Sequence, residues 1–177
     1  MSMKDIGCKE PTKEKSKKWN DYKKNLLLSE HIKEELSYIY KSIERAENAW
    51  EKATTSSDES YYDSCVLNLY HTYHGLEKIF KQIAQNIDET IPEGKNHCRE
   101  LLKQMRYEVE GIRPSLISDE LYTLLDEFRS FRHIVRNVYA FNYDVAKLEA
   151  LINHLVPMKS KLKKEFEEFC MFLDHIS

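Results

Sequence analysis

The residues best suited to chemistry are concentrated in one segment, residues 128–139, with the sequence FRSFRHIVRNVY. If this segment is helical, each residue turns about 100° around the axis, so Arg132, His133 and Arg136 lie within about 60° of Arg129. The apolar side chains of the segment fall on a different face. No Asp or Glu follows three or four positions away within this charged stripe. Asp126 and Glu127 precede the stripe and could pair only with its first turn. We therefore expect a row of guanidinium groups without carboxylate partners.

Two interpretations of the charged stripe are open. An amphipathic helix commonly exposes its charged face to solvent, and the stripe would then bind nothing. Alternatively, arginines that repel one another indicate an anionic ligand, such as phosphate or an acidic protein surface. Arginine suits phosphate because its planar guanidinium binds two oxygens at once and stays charged at any working pH. The net charge of −3 gives no general attraction to polyanions, so such a site must be local.

The rest of the sequence predicts an all-α protein that would position this stripe. Gly and Pro occur only four times each, which favours long helices with short connections. Apolar residues recur at steps of three and four, as in helix bundles. Ser57 or Asp58 is predicted to cap the second helix and Ser118 the fourth, and a kink is expected at Pro157. We expect an up-and-down bundle of four main helices plus one short helix, covering about residues 19–53, 58–87, 96–109, 119–140 and 144 onward.

The organisation of the chain predicts one domain. We expect residues 1–18 to form a flexible polar tail and residues 19–177 a single helical domain. The four cysteines are far apart in the sequence, so we expect reduced thiols in a cytoplasmic protein. No apolar run approaches the ~18 residues that span a bilayer. We therefore expect no membrane association, and we expect no cofactor.

The segment RHIVRNVY, which follows SDELYTLLDEFRSF, resembles the HepT-like branch of the HEPN superfamily of all-α proteins. The segments YHTYHGLEKIFKQIAQNID and IPEGKNHCRELLKQM are also similar to this family, so the resemblance covers about residues 57–151. It implies a HEPN-like bundle that forms a homodimer. It also implies the role of a toxin that cuts RNA without metal in a basic cleft between two subunits. The implied partner is a minimal nucleotidyltransferase antitoxin, which adenylylates a tyrosine of the toxin.

The family motif consists of an Arg, four to six residues, a His, one residue and a Tyr. On this chain Arg132 takes the Arg position, Asn137 the His position and Tyr139 the Tyr position. Asn137 departs from the motif, because an amide does not titrate near neutrality and cannot move the proton when a ribose 2′-OH attacks phosphate. Either His133, on the same face, supplies this acid or base, or the cleft binds RNA without cutting it.

The resemblance thus predicts a set of site residues and leaves the function open. Besides the nuclease, the alternatives are an inactive subunit that binds nucleotide or the partner nucleotidyltransferase, and a structural dimer whose charges form interface ion pairs. The predicted catalytic residues are Arg132, His133 and Asn137, the predicted phosphate-binding residues are Arg129, Arg132 and Arg136, and the candidate adenylylation site is Tyr139.

Two weaker candidates lie elsewhere in the chain. His71, His74 and Glu77 are spaced at i, i+3 and i+6 on one predicted helix, but no further ligand stands at a recognisable spacing, so we expect no metal site. His97 and Cys98 are adjacent in the sequence. Because neighbouring side chains on a helix point apart, we expect no catalytic pair there.

Overall fold

Helices make up most of the computed structural model, which describes residues 13–56, 58–136 and 144–176. Within these residues there are five α-helices, which confirms the predicted all-α bundle of four long helices and one short helix. The helix α1 begins before the predicted boundary at residue 19, and Pro157 lies inside the last helix. The helices are α1 (Lys13–Thr55), α2 (Ser60–Asn86), α3 (His97–Arg106), α4 (Asp119–Val135) and α5 (Val145–His175).

The core of the bundle is formed by the apolar stripes that the sequence predicts. Ile32, Ile39 and Ile43 of α1 are at most 1% exposed, at the four- and three-residue steps expected for one helix face. The rings of Phe80 on α2 and Phe166 on α5 lie 6.4 Å apart between their centroids. α2 contacts α1, α3 and α4, and α5 contacts α1 and α4. The helix that carries the charged stripe, α4, is therefore held between α2, α3 and α5.

Side chains at the helix starts fix where α2 and α4 begin. The N-cap of α2 is Glu59, whose side chain makes no capping bond, so the prediction of Asp58 as the cap was wrong. Asp58 lies one residue earlier, and its carboxylate accepts the N–H of Ser60, the first helical residue, at 2.9 Å. Ser118 is confirmed as the cap of α4, because its hydroxyl oxygen accepts the N–H of Leu121 at 3.2 Å. Glu165 of α5 accepts the Ser118 N–H at 2.8 Å and its hydroxyl at 2.6 Å. These bonds tie the first turn of α4 to α5.

A buried arginine fixes the loops on both sides of α3. The helix ends at Arg106 rather than near residue 109, because Val109 pairs with Arg113 in an isolated antiparallel bridge. Gly111 closes this turn with φ of 72°, a left-handed conformation that glycine adopts without strain. The Arg113 side chain is 0% exposed and donates to both oxygens of Asp88, at 2.5 and 2.7 Å. The loop before α3 and the loop after it are thereby held together, which sets the position of α3.

Several predictions fall outside the described residues. They are the Ser57 cap, the end of α4 near residue 140, and the motif residues Asn137 and Tyr139. Of the helices that are described, none combines the length and the apolar character that crossing a membrane requires.

Candidate anion-binding site

A cavity of about 480 Å³ lies between the first turn of α3 and the C-terminal half of α4. On the α4 side it is lined by Arg129, Arg132, His133 and Arg136. These are the four members of the charged stripe, so the structure brings them together around one cavity.

The α3 side of the cavity adds charges that the sequence pattern does not single out. Lys95 and Arg99 are exposed and line the cavity together with Asn96, His97 and Cys98. The first turn of α3 also lines this space, and the positive end of a helix dipole attracts anions. Among the described residues that line the cavity there are five Lys and Arg side chains and no Asp or Glu. The cavity therefore suits an anionic ligand.

The ion pair between Arg132 and Glu77 contradicts the expectation that the stripe lacks carboxylate partners. Arg132 NH1 contacts Glu77 Oε2, and the two side chains are only 10% and 3% exposed. The expectation was wrong because helical spacing cannot reveal a partner on another helix. Packing of α2 against α4 brings Glu77 beneath Arg132. One of the three guanidinium groups is thus buried and neutralised by its own chain.

Arg129, in the first turn of the stripe, is also paired, with one of the two acidic residues that precede the stripe. Its Nε donates to Asp126 Oδ1 at 2.6 Å, and its NH2 donates to the Ser130 hydroxyl at 3.1 Å. Asp126 precedes Arg129 by three positions and lies on the neighbouring helical turn. The pair is partly exposed, so it weakens the charge of Arg129 without burying it.

Three cations of the cavity remain uncompensated within the described part of the chain. Arg136, Lys95 and Arg99 are exposed, and none of them forms an ion pair with a described carboxylate. His133 is exposed on α4 and lines the same cavity. Because two arginines are internally balanced, the attraction for an anion arises chiefly from these three side chains.

Aromatic rings support Arg132 from below. Its guanidinium carbon lies 5.7 Å from the ring centroid of Tyr70 and 5.9 Å from that of Tyr73, which are cation–π distances. Burial raises the pKa of the Tyr73 phenol, and its hydroxyl finds no hydrogen-bond partner among the described residues. Arg132 is therefore held in one orientation by the rings and by Glu77, which suits a fixed contact to a ligand oxygen.

His97 and Cys98 form a contact that the sequence reasoning excluded. Cys98 Sγ lies 3.1 Å from His97 Nε2, and 3.6 Å from Glu77 Oε1. The prediction that these neighbours point apart was wrong because His97 is the first residue of α3. Its ring turns back toward the preceding loop, where Nδ1 lies 2.9 Å from the carbonyl oxygen of Gly94. A histidine at a helix start after a glycine turn is the one sequence signal for this geometry.

His71 and His74 do not join that group. The His74 ring stacks on Tyr70 at 6.0 Å between centroids, and burial together with Arg132 lowers the pKa of His74. His71 packs edge-on against the same tyrosine, at 5.6 Å. Of the three ligands considered from spacing, only Glu77 reaches a cluster of ligand-type atoms.

Comparison with known proteins identifies the family of this chain. The family described as HepT-like protein matches residues 64–173, which is more than half of the chain and includes α3, α4 and the cavity between them. The searches of curated proteins and of solved structures gave no match. The chain belongs to the HepT-like protein family, as the segments around the charged stripe predict.

Proposed function

We propose that this protein is the toxin component of a toxin–antitoxin module, paired with a minimal nucleotidyltransferase, and that it binds RNA phosphates in the cavity between α3 and α4. The observation that carries the proposal is the lining of that cavity, with five Lys and Arg side chains and no carboxylate among the described residues. A single-stranded RNA suits this lining, because each phosphate that a Lys or Arg neutralises releases bound counterions, and this release favours binding.

Binding is tested with the full chain and a short single-stranded RNA in EDTA, over a series of salt concentrations. Arg136→Ala and Arg99→Ala should each weaken the affinity about tenfold, equivalent to about 1.4 kcal/mol. Each should also reduce the slope of log K against log salt by about 0.7. Lys103→Ala is the matched control, because Lys103 is exposed on α3 but does not line the cavity. Equal weakening by all three variants would refute binding in this cavity.

Cleavage of the bound RNA is the second part of the proposal, with His133 as the acid or base in place of Asn137. His133 is exposed and lines the cavity beside Arg132 and Arg136, and imidazole titrates in the range that proton transfer at neutral pH needs. With RNA in EDTA, His133→Ala should abolish cleavage and leave RNA affinity within about twofold, since the lysine and arginine side chains supply most of the attraction for phosphate. If wild type binds RNA but leaves it intact at high protein concentration, the protein is the inactive binding subunit.

Testing Arg132 requires a paired variant. Arg132→Ala alone would leave the Glu77 carboxylate buried without its partner, and the protein would lose stability for reasons unrelated to RNA. The double variant Arg132→Gln with Glu77→Gln removes both charges and keeps similar volumes. If Arg132 contacts phosphate, the double variant should bind RNA more weakly than wild type while keeping the wild-type circular dichroism spectrum. Unchanged affinity in a folded double variant would remove Arg132 from the binding site.

We further propose that the protein forms a homodimer and that Tyr139 is adenylylated. In this step the tyrosine oxygen would lose its proton, attack the α-phosphate of ATP and displace pyrophosphate, adding a negative charge three residues after Arg136 in the sequence. After co-expression with the nucleotidyltransferase, the intact mass should rise by one adenylyl group in wild type and in Tyr107→Phe, but not in Tyr139→Phe.

The homodimer is tested by sedimentation velocity, which should give about twice the mass of one chain. Sedimentation of the wild-type protein as a monomer would contradict the dimer. Arg136→Ala would then sediment in the same way as wild type.

A further inference from the structure

Three atoms of metal-ligand type converge beside the cavity between α3 and α4, and two of the residues that carry them, His97 and Cys98, line it. One atom each from Glu77, His97 and Cys98 lies within 4.8 Å of the other two. Cys98 Sγ is 3.1 Å from His97 Nε2 and 3.6 Å from Glu77 Oε1. The three residues come from two helices that are separated by a loop, so the tertiary structure alone assembles them.

Two of the three separations are close to the edges of a tetrahedral zinc site, and the third, between Glu77 and His97, is at most 4.8 Å. With Zn–S near 2.3 Å and Zn–N or Zn–O of about 2.0–2.2 Å, two ligand atoms of a tetrahedron lie about 3.3–3.6 Å apart. The observed sulfur–oxygen distance of 3.6 Å is within that range. The sulfur–nitrogen distance of 3.1 Å needs to open by only a few tenths of an ångström. A thiolate, an imidazole and a carboxylate are the three ligand types that Zn²⁺ takes in proteins.

The orientation of the His97 ring is that of a metal ligand. Nδ1 lies 2.9 Å from the carbonyl oxygen of Gly94, which can only accept, so the nitrogen left for a metal ion is Nε2, which faces Cys98. Zinc-binding histidines almost always donate their second ring N–H to a carbonyl or carboxylate, which fixes the tautomer and the direction of the lone pair. The hydrogen bond to Gly94 holds this arrangement in advance of any ion.

The Glu77 carboxylate divides its two oxygens between different tasks. Oε2 contacts Arg132, while Oε1 faces Cys98 and lies 2.8 Å from Lys81 Nζ. The Lys81 side chain is 47% exposed, so it can move into solvent when an ion takes Oε1. The thiolate supplies one negative charge to a divalent cation, and the charge of the Glu77 carboxylate is shared between the cation and Arg132. Loss of the thiol proton accompanies metal binding at such a site.

We propose that Glu77 Oε1, His97 Nε2 and Cys98 Sγ bind one Zn²⁺, with a fourth position open toward the basic cavity. His97 and Cys98 line that cavity, so the open position accepts water or a phosphate oxygen from the cavity side. Three protein ligands with an open fourth position are the pattern of a reactive zinc site, whereas a structural site has four protein ligands. Because RNA binding is measured in EDTA, which removes zinc, the zinc site and RNA binding are tested independently.

The test uses untagged full-length protein carrying Cys8→Ser, so that the thiol of the N-terminal segment does not contribute. After treatment with EDTA and dialysis against ZnCl₂, this protein should retain one zinc per chain by mass spectrometry of the metal. Cys98→Ser and His97→Ala should each lower the zinc affinity by more than about tenfold. Cys65→Ala and His71→Ala are the matched controls and should keep the stoichiometry of one.

A second readout reports the sulfur ligand directly. Replacing zinc with Co²⁺ should give thiolate-to-cobalt charge-transfer absorption that disappears in Cys98→Ser and persists in Cys65→Ala. The proposal would be overturned if Cys98→Ser retained as much zinc as the Cys8→Ser reference protein. It would also be overturned if the reference protein, with Cys98 reduced, bound less than half an equivalent of zinc. Circular dichroism of each variant distinguishes loss of the site from loss of the fold. Zinc binding without RNA affinity would support the metal site and contradict the proposed function. RNA affinity without zinc binding would do the reverse.

Discussion

Replacing Glu77 with Gln removes the charge that balances Arg132 while nearly preserving the volume of the side chain. The two side chains are 3% and 10% exposed, and removing one partner of a buried ion pair costs about 3–5 kcal/mol. Gln can still accept one hydrogen bond from the guanidinium, so we expect the lower end, about 3 kcal/mol. Lys81 adds little, because its side chain is 47% exposed and its ammonium group can return to water when Glu77 loses its charge.

Urea unfolding followed by circular dichroism measures this loss, with the slope of free energy against urea unchanged. For a domain of this size the melting temperature should fall by about 6–12 °C. Glu30→Gln is the matched control, because Glu30 pairs with Lys33 at 2.9 Å on the surface, where its side chain is 70% exposed. That variant should change the free energy of unfolding by less than about 1 kcal/mol. If Glu77→Gln costs no more than Glu30→Gln, the buried ion pair between Arg132 and Glu77 does not hold Arg132 in place.

Three further predictions concern stability and thiol reactivity. Arg113→Lys keeps the charge but loses the two-oxygen contact with Asp88, so urea unfolding should reveal a loss of about 2–4 kcal/mol; wild-type stability would contradict a structural role. Gly75→Ala places a methyl group 2.7 Å from Ile39 Cγ1, so thermal unfolding should reveal a loss of about 1–3 kcal/mol; a gain would mean that Ile39 moves freely. Burial raises the pKa of Cys65 to about 12, so at pH 8 about one thiol in 10,000 is ionised and iodoacetamide should label it only after unfolding. Rapid labelling of native protein, read by peptide mass spectrometry, would show that Cys65 is accessible.

Local sequence signals predicted the elements that carry the site. The steps of three and four among apolar residues gave the helices, and Ser118 was identified as a cap because a short polar side chain precedes two acidic residues and an apolar run. These features depend on residues within one or two helical turns, so spacing alone reveals them. The length of α3 was less predictable, since it ends where Arg113 engages Asp88 across a loop.

The sequence by itself determined that this protein is a HepT-like helical bundle and that Arg129, Arg132, His133 and Arg136 share one side of a helix. Only the tertiary structure decided which of these charges are available to a ligand, because α2 places Glu77 under Arg132, while α3 adds Arg99 and the loop before it adds Lys95 from the opposite wall. The same packing brings His97 and Cys98 to Glu77. The physical reason is range: helical periodicity reports contacts three or four residues apart, whereas charge compensation and metal-ligand geometry arise between helices that are distant in the sequence.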